Sequence, residues 1–100
     1  MLFRSTPPLL AGVEALARAG VRTGASTRNW ASYGDAVRLP DGMSGWRRDL
    51  LTDPQTSGGL LIAVAAGEAD AVLALVRSRG FDRAAVVGRL SAGTPEIRVR

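Results

Sequence analysis

Apolar positions along this chain follow two spacings, one helical and one extended, and the changes between them mark out the elements. Leu9, Val13, Leu16 and Ala17 recur every three or four residues, and Leu10 widens their stripe. Thr6 stands ahead of Pro7-Pro8 as a helix N-cap, and Gly20 follows as a left-handed stop. The spacing therefore predicts a helix over residues 7–19. Trp46, Leu50 and Leu51 give one apolar side to a short helix opened by Ser44 and halted by Pro54. Ala69, Val72, Leu73 and Val76 line a second long helix. Glu68 and Asp70 lie near its start and Arg77 and Arg79 near its end, as the helix dipole favours, and Gly80 closes it.

The extended spacing begins after a stiff turn. Asp53-Pro54-Gln55-Thr56-Ser57-Gly58-Gly59 leads into Leu60-Leu61-Ile62-Ala63-Val64, which has no polar residue. The reading is a strand buried on both faces, as in an α/β layer. Residues 84–90 read as another strand. Residues 96–100 alternate, with Ile97 and Val99 inward, and are expected to pair antiparallel with that predecessor. The stretch over residues 21–52 is irregular with short helices. Ser26 or Thr27 is a candidate cap for a helix through Asn29 to Ser32 that ends at Gly34. Ala36 to Leu39 forms a short extended piece before the Pro40-Asp41-Gly42 turn. Together these make a single α/β domain over residues 1–100: a two-layer α+β unit with a mixed sheet and helices packed on one face. Three strands are few for a sheet, and its open apolar edges require a partner, so the domain is expected to be incomplete.

Composition narrows the chemistry sharply. The chain has no Cys and no His, and all thirteen of its cationic residues are Arg. Disulfides, thiolate metal sites, imidazole bases and Schiff-base lysines are thereby excluded. The net charge of +4 is spread from Arg4 to Arg100, with Arg47-Arg48 the single adjacent pair. It marks a solvated surface rather than a nucleic-acid stripe. No apolar run reaches the ~18–20 residues of a membrane span, and the N-terminal residues lack a signal-peptide core; a cytoplasmic location is the expectation.

Two polar clusters remain. Thr56-Ser57-Gly58-Gly59 offers two hydroxyls and successive amides, a shape that can cradle an anion. It carries no P-loop lysine and leads into a strand, and the competing role is a plain tight turn. Thr27-Arg28-Asn29 can contact phosphate or orient a substrate, or simply cap a helix. Asp53 can hold a metal or, as the better-supported reading, close an Asx-turn on the backbone of Gln55 or Thr56. No acidic spacing resembles a metal loop. Trp30, Tyr33 and Trp46 are too separated for a base-stacking platform and are read as satellite core residues.

The run from Asp53 to Val64 resembles the C-terminal signature of the selenophosphate synthetase (selenide, water dikinase) family. Pro8-Leu-Leu-Ala-Gly12, Gly24-Ala-Ser-Thr-Arg-Asn29, Tyr33-Gly-Asp35 and Val87-Gly-Arg-Leu90 are similar to that family in the same order. The architecture is shared with aminoimidazole ribonucleotide synthetase, thiamine monophosphate kinase and a hydrogenase maturation protein. The resemblance implies a partial C-terminal domain of an enzyme that makes selenophosphate from selenide, ATP and water with Mg²⁺, releasing AMP and phosphate. It also implies a homodimer whose ATP site is formed chiefly by an N-terminal nucleotide-binding domain. That family's reactive Cys or selenocysteine, its catalytic Lys and its Mg²⁺-binding aspartates lie outside the matched part, so no catalytic residue and no metal ligand is carried over to this chain. Thr56, Ser57, Gly58, Gly59, Thr27 and Asn29 stand as candidate phosphate or interdomain contacts. The alternatives are a stand-alone oligomerisation module derived from the same superfamily, or the C-terminal domain of another ATP-dependent member.

Overall fold

The computed structural model describes the backbone of Leu2–Phe3 and residues 8–100. Among the described residues four α-helices form: α1 (Val13–Arg18), α2 (Gly24–Tyr33), α3 (Gly45–Leu51) and α4 (Ala69–Ser78). The same residues hold four short strands: β1 (Leu2–Phe3), β2 (Val37–Arg38), β3 (Gly88–Arg89) and β4 (Ile97–Val99). They make one mixed sheet in the order β2-β4-β1-β3, parallel except for the β1–β3 pair. The α/β reading holds.

The helix stops follow the sequence closely. Gly20 and Gly80 adopt φ of 88° and 93°. At α1 the N–H of Gly20 donates to Ala17 C=O and that of Val21 to Leu16 C=O. At α4 the N–H of Gly80 donates to Arg77 C=O and that of Phe81 to Val76 C=O. Each pair is a Schellman closure, which needs a left-handed residue that side-chain-bearing amino acids adopt poorly. Arg77 then donates two hydrogen bonds to Ala84 C=O (3.1 and 2.9 Å), fixing the chain that leaves α4.

Several boundaries differ from the sequence reading. The first helix spans Val13–Arg18 rather than residues 7–19, and its proposed cap and first turn at Thr6 and Pro7 lie outside the described residues. Gly12, at φ 82°, stands at its N-terminus, and a left-handed residue there starts the helix late. The second helix starts at Gly24, capped by Thr23, whose hydroxyl accepts the Ser26 N–H (3.4 Å). Ser26 and Thr27 are therefore inside the helix and not its cap. The final two strands do not form a hairpin: β1 inserts between β3 and β4, pairing antiparallel with one and parallel with the other. The alternation in β4 does hold, with Ile97 and Val99 half-buried and Arg98 exposed.

The largest departure is at residues 60–64. Leu60 is 91%, Leu61 69%, Ile62 52% and Val64 42% exposed, and no strand forms there. Among the described residues, no backbone hydrogen bond holds this run in a ladder. The expected strand, covered on both faces, is thus apolar chain without a sheet to enter. The rest of the molecule agrees. Its accessible surface is 7849 Å², against about 5,400 Å² for a compact folded monomer of this mass. Its radius of gyration is 14.7 Å, where about 13 Å is usual for this length. Ala17 is the one buried apolar side chain among the described residues.

The order that exists comes from helix packing. α3 packs against α1 and α2. Arg18 of α1, ion-paired with Glu14 at 2.7 Å, lies 4.5 Å over the Trp46 ring of α3, and Arg48 of α3 lies 5.4 Å over Trp30 of α2. Each contact contributes on the order of 0.5–1 kcal/mol. A methyl group built on Gly34 would stand 2.8 Å from Cε2 of Trp30. Gly34→Ala is therefore expected to push the indole away from Arg48 and cost α2 roughly 1–3 kcal/mol. The check is the Trp30 indole N–H resonance together with amide exchange in α2; an unmoved resonance and unchanged exchange contradict the contact.

Candidate functional site

Of the two polar clusters singled out in the sequence, one reaches the foot of the other through Asn29, which is part of a set of hydrogen bonds from α2 to Thr52 and Asp53. Thr23 enters α2 in an extended conformation (φ −94°, ψ 152°), which aims its hydroxyl back over the first turn. Its Oγ1 donates to Asp53 Oδ1 (3.2 Å), and Ser26 Oγ donates to the same oxygen (3.3 Å). Ser26 is 1% exposed. One turn further on, Asn29 Nδ2 donates to Thr52 C=O (2.8 Å). Thr52 is itself buried, and its hydroxyl donates to the C=O groups of Arg48 (3.0 Å) and Asp49 (3.2 Å), closing α3. Pro54 then prevents further helix. The start of α2 is thereby clipped to the residues that launch the Asp53–Gly59 turn.

This geometry revises two assignments. Asp53 does not close an Asx-turn on Gln55 or Thr56; its carboxylate serves the N-terminal turn of α2, because two hydroxyls reach it there. Asn29 spends a side-chain N–H on Thr52, so it acts as a tie between helices. Thr27 is exposed on α2. The turn itself is made by the Gly58 N–H donating to Gln55 C=O (3.1 Å), and Thr56, Ser57, Gly58 and Gly59 all face solvent. The structure thus brings Asn29 and its neighbours to the base of the turn and leaves Thr56–Gly59 projecting beyond it. Thr23 and Thr52, both central to the clip, escaped the sequence reading. A threonine ahead of the small run Gly-Ala-Ser is the signal that could have found the first; nothing local distinguishes the second.

The carboxylates nearest the turn are engaged by neighbouring side chains. Asp53 is held by two hydroxyls, and Asp49 sits between Arg22 (3.5 Å) and Arg48 (3.7 Å). Among the described residues no group of three acidic side chains gathers. Mg²⁺ bound to nucleotide wants one or two carboxylates beside the phosphates; at the turn the chain offers Asp53, whose Oδ1 takes both hydroxyls. A shallow depression lined by Leu9, Leu10, Gly12, Glu14, Ala15 and Arg18 shares no residue with either cluster. No helix among the described residues is long and apolar enough to cross a membrane.

Removing the shared acceptor tests the clip. Asp53→Ala leaves the buried Ser26 hydroxyl without its carboxylate partner, a loss of about 1–3 kcal/mol. Amide exchange in the first turn of α2 should speed up accordingly. Asp53→Asn keeps an acceptor oxygen and should recover most of the protection. Equal exchange in both variants would contradict the network.

Comparison with known proteins agrees with the motif reading. The chain is 58% identical over 92 residues to "Selenide, water dikinase" of Burkholderia ambifaria (strain MC40-6), covering 92% of this chain and 26% of that protein. It is 50% identical over 92 residues to the protein of the same name from Pseudomonas straminea, with the same coverage. It is also 50% identical over 95 residues to that of Rhizobium meliloti (strain 1021), covering 95% of this chain and 27% of that protein. The chain spans about a quarter of the length of the curated relatives it matches. The family described as "AIR synthase related protein, C-terminal domain" matches residues 11–100. With nine-tenths of its length matched and the Asp53–Val64 signature within the match, the chain belongs to the AIR synthase related protein C-terminal domain family.

Proposed function

We propose that this chain serves as the C-terminal portion of a selenide, water dikinase, an enzyme that makes selenophosphate from selenide, ATP and water and releases AMP and phosphate. The observation that carries the reading is identity of 50–58% to proteins of that name across nine-tenths of the chain. Selenophosphate is the selenium donor for selenocysteine and selenouridine. ATP and Mg²⁺ are the cofactors of the complete enzyme, which works as a cytoplasmic homodimer. Phosphoryl transfer needs phosphates clamped by metal and cationic groups, and no residue of the family's clamp is carried over to this chain. The nucleotide-binding domain upstream supplies it. This chain's own part is to pack behind the site and present the Thr56–Gly59 turn, seated by Asn29 and Asp53, toward the phosphates or the N-terminal domain.

The test joins this chain covalently to the upstream three quarters of the Burkholderia ambifaria protein. The graft should release AMP in a reaction dependent on both selenide and ATP, and the 100-residue chain alone should release none. A graft that folds stably but is inactive overturns the reading. Within the active graft, Thr56→Ala and Asn29→Ala are expected to lower turnover or ATP affinity at least several-fold. Unchanged turnover and affinity in both folded variants would remove the turn from the site. A second reading, an assembly module that retains the fold without the chemistry, is favoured by the exposed run Leu60–Val64 and predicts the inactive graft.

A further inference from the structure

Leu60–Val64 is the least covered part of the molecule and also the most uniformly apolar. Neither edge of it is hydrogen-bonded to a strand among the described residues. In an extended conformation Leu60, Ile62 and Val64 face one way and Leu61 and Ala63 the other. Both faces are then apolar, and a strand of that kind is stable only inside a sheet with cover on each side. A candidate for the cover of one face follows in the chain. The segment runs through Ala65 and a 3₁₀ turn (Ala66–Glu68) into α4, whose Val72, Leu73 and Val76 form a half-buried apolar face. The missing part is the neighbouring strands.

The amount of surface left open limits what can supply them. The chain exposes roughly 2,400 Å² more than a compact monomer of its mass, whereas a standard interface takes about 800 Å² from each partner. An area of this size belongs to the permanent, core-like class of interface. The relatives carry about three quarters of their length beyond the part this chain matches. That length is the source of strands the observations favour over a second copy. Two copies pairing through one five-residue run would cover one edge of each and leave most of the excess exposed.

We propose that Leu60–Val64 is a docking strand that completes the sheet of a polypeptide equivalent to the upstream three quarters of the relatives, and that this assembly forms without a covalent joint. The inference rests on the functional reading above, but its test is separable from it. The 100-residue chain is co-expressed with the upstream portion of the Burkholderia ambifaria protein, tagged, and the purified material is examined for stoichiometry and amide exchange. The expected result is a one-to-one complex in which amides 60–64 exchange at least a hundredfold more slowly than in the chain alone. Ala63→Pro, which removes an N–H without adding polarity, should abolish it. Should the upstream portion prove insoluble, a graft with a protease site at the joint gives the same readout: the cut halves should stay together. Halves that separate, a complex with unprotected amides 60–64, or a self-assembled form of the chain that protects them would each overturn the proposal. A complex with protected amides but no selenide-dependent AMP release leaves the docking intact and defeats only the assigned reaction. An active covalent graft whose halves separate when cut does the reverse.

Discussion

The purified 100-residue chain is expected to melt without a cooperative transition and to bind a dye that reports exposed apolar surface. The reason is quantitative. A chain of this length that folds to native density unfolds with an enthalpy of about 60–80 kcal/mol, and that figure presumes a core. Here the enclosed residues are Ala17, Ser26 and Thr52 among those described, a small alanine and two hydroxyl side chains. Leu60, Leu61 and Ile62 each withhold from folding most of the ~1.5–3 kcal/mol that full burial of such a side chain yields. The net stability of ordinary domains is only about 5–15 kcal/mol, so a deficit spread over several large side chains consumes it. Calorimetry decides the point. A broad, low-enthalpy signal with strong dye binding is expected; a sharp transition near the full enthalpy, with no dye bound, would show a core that the present structure lacks.

The second large effect concerns the same run once it is covered. In the covalent graft, Ile62→Asp should abolish soluble, folded protein and with it the AMP-releasing activity. A carboxylate placed in the middle of a sheet covered on both faces is cut off from water, and this chain brings no Lys to pair with it. Leaving a charge unpaired in such surroundings costs roughly 3–5 kcal/mol, a large share of a domain's margin. Ile62→Val removes one methylene, should cost about 0.5–1.5 kcal/mol, and should leave activity close to that of the parent graft. In the isolated chain Ile62→Asp should instead be harmless or improve solubility, because the position is already in water. The opposite signs in the two contexts separate a covered strand from a surface loop. An active, stable Ile62→Asp graft would mean that the run remains exposed in the whole enzyme.

What could be read from the sequence divides along physical lines. Helix stops were legible because Gly20 and Gly80 act through their own backbone angles, which need no partner. The β4 alternation was legible because one face of that strand is half-buried and the other meets solvent within this chain. The family was legible because the Asp53–Val64 block and its ordered flanks form a specific pattern. Pairing was not: β1 enters between β3 and β4 from the far end of the chain, and a two-residue Leu-Phe strand leaves no periodicity to detect. The strand at 60–64 was read correctly as apolar on both faces and wrongly as buried, since pattern specifies what a segment needs and not whether the chain provides it. At the candidate site, Asn29 and Asp53 stood out by residue type, but their roles in tying α2 to the turn depend on Thr23, Ser26 and Thr52. Those residues are common in loops and carry no pattern of their own.

Amide hydrogen exchange on the isolated chain tests the central claim most directly. Residues 60–64 should exchange at close to the rate of an unstructured peptide, while the amides within α4 (Ala69–Ser78) exchange more slowly, because one run lacks a ladder and the other has its own. Protection at 60–64 equal to or greater than that of α4, in a chain shown to be monomeric, would contradict the account.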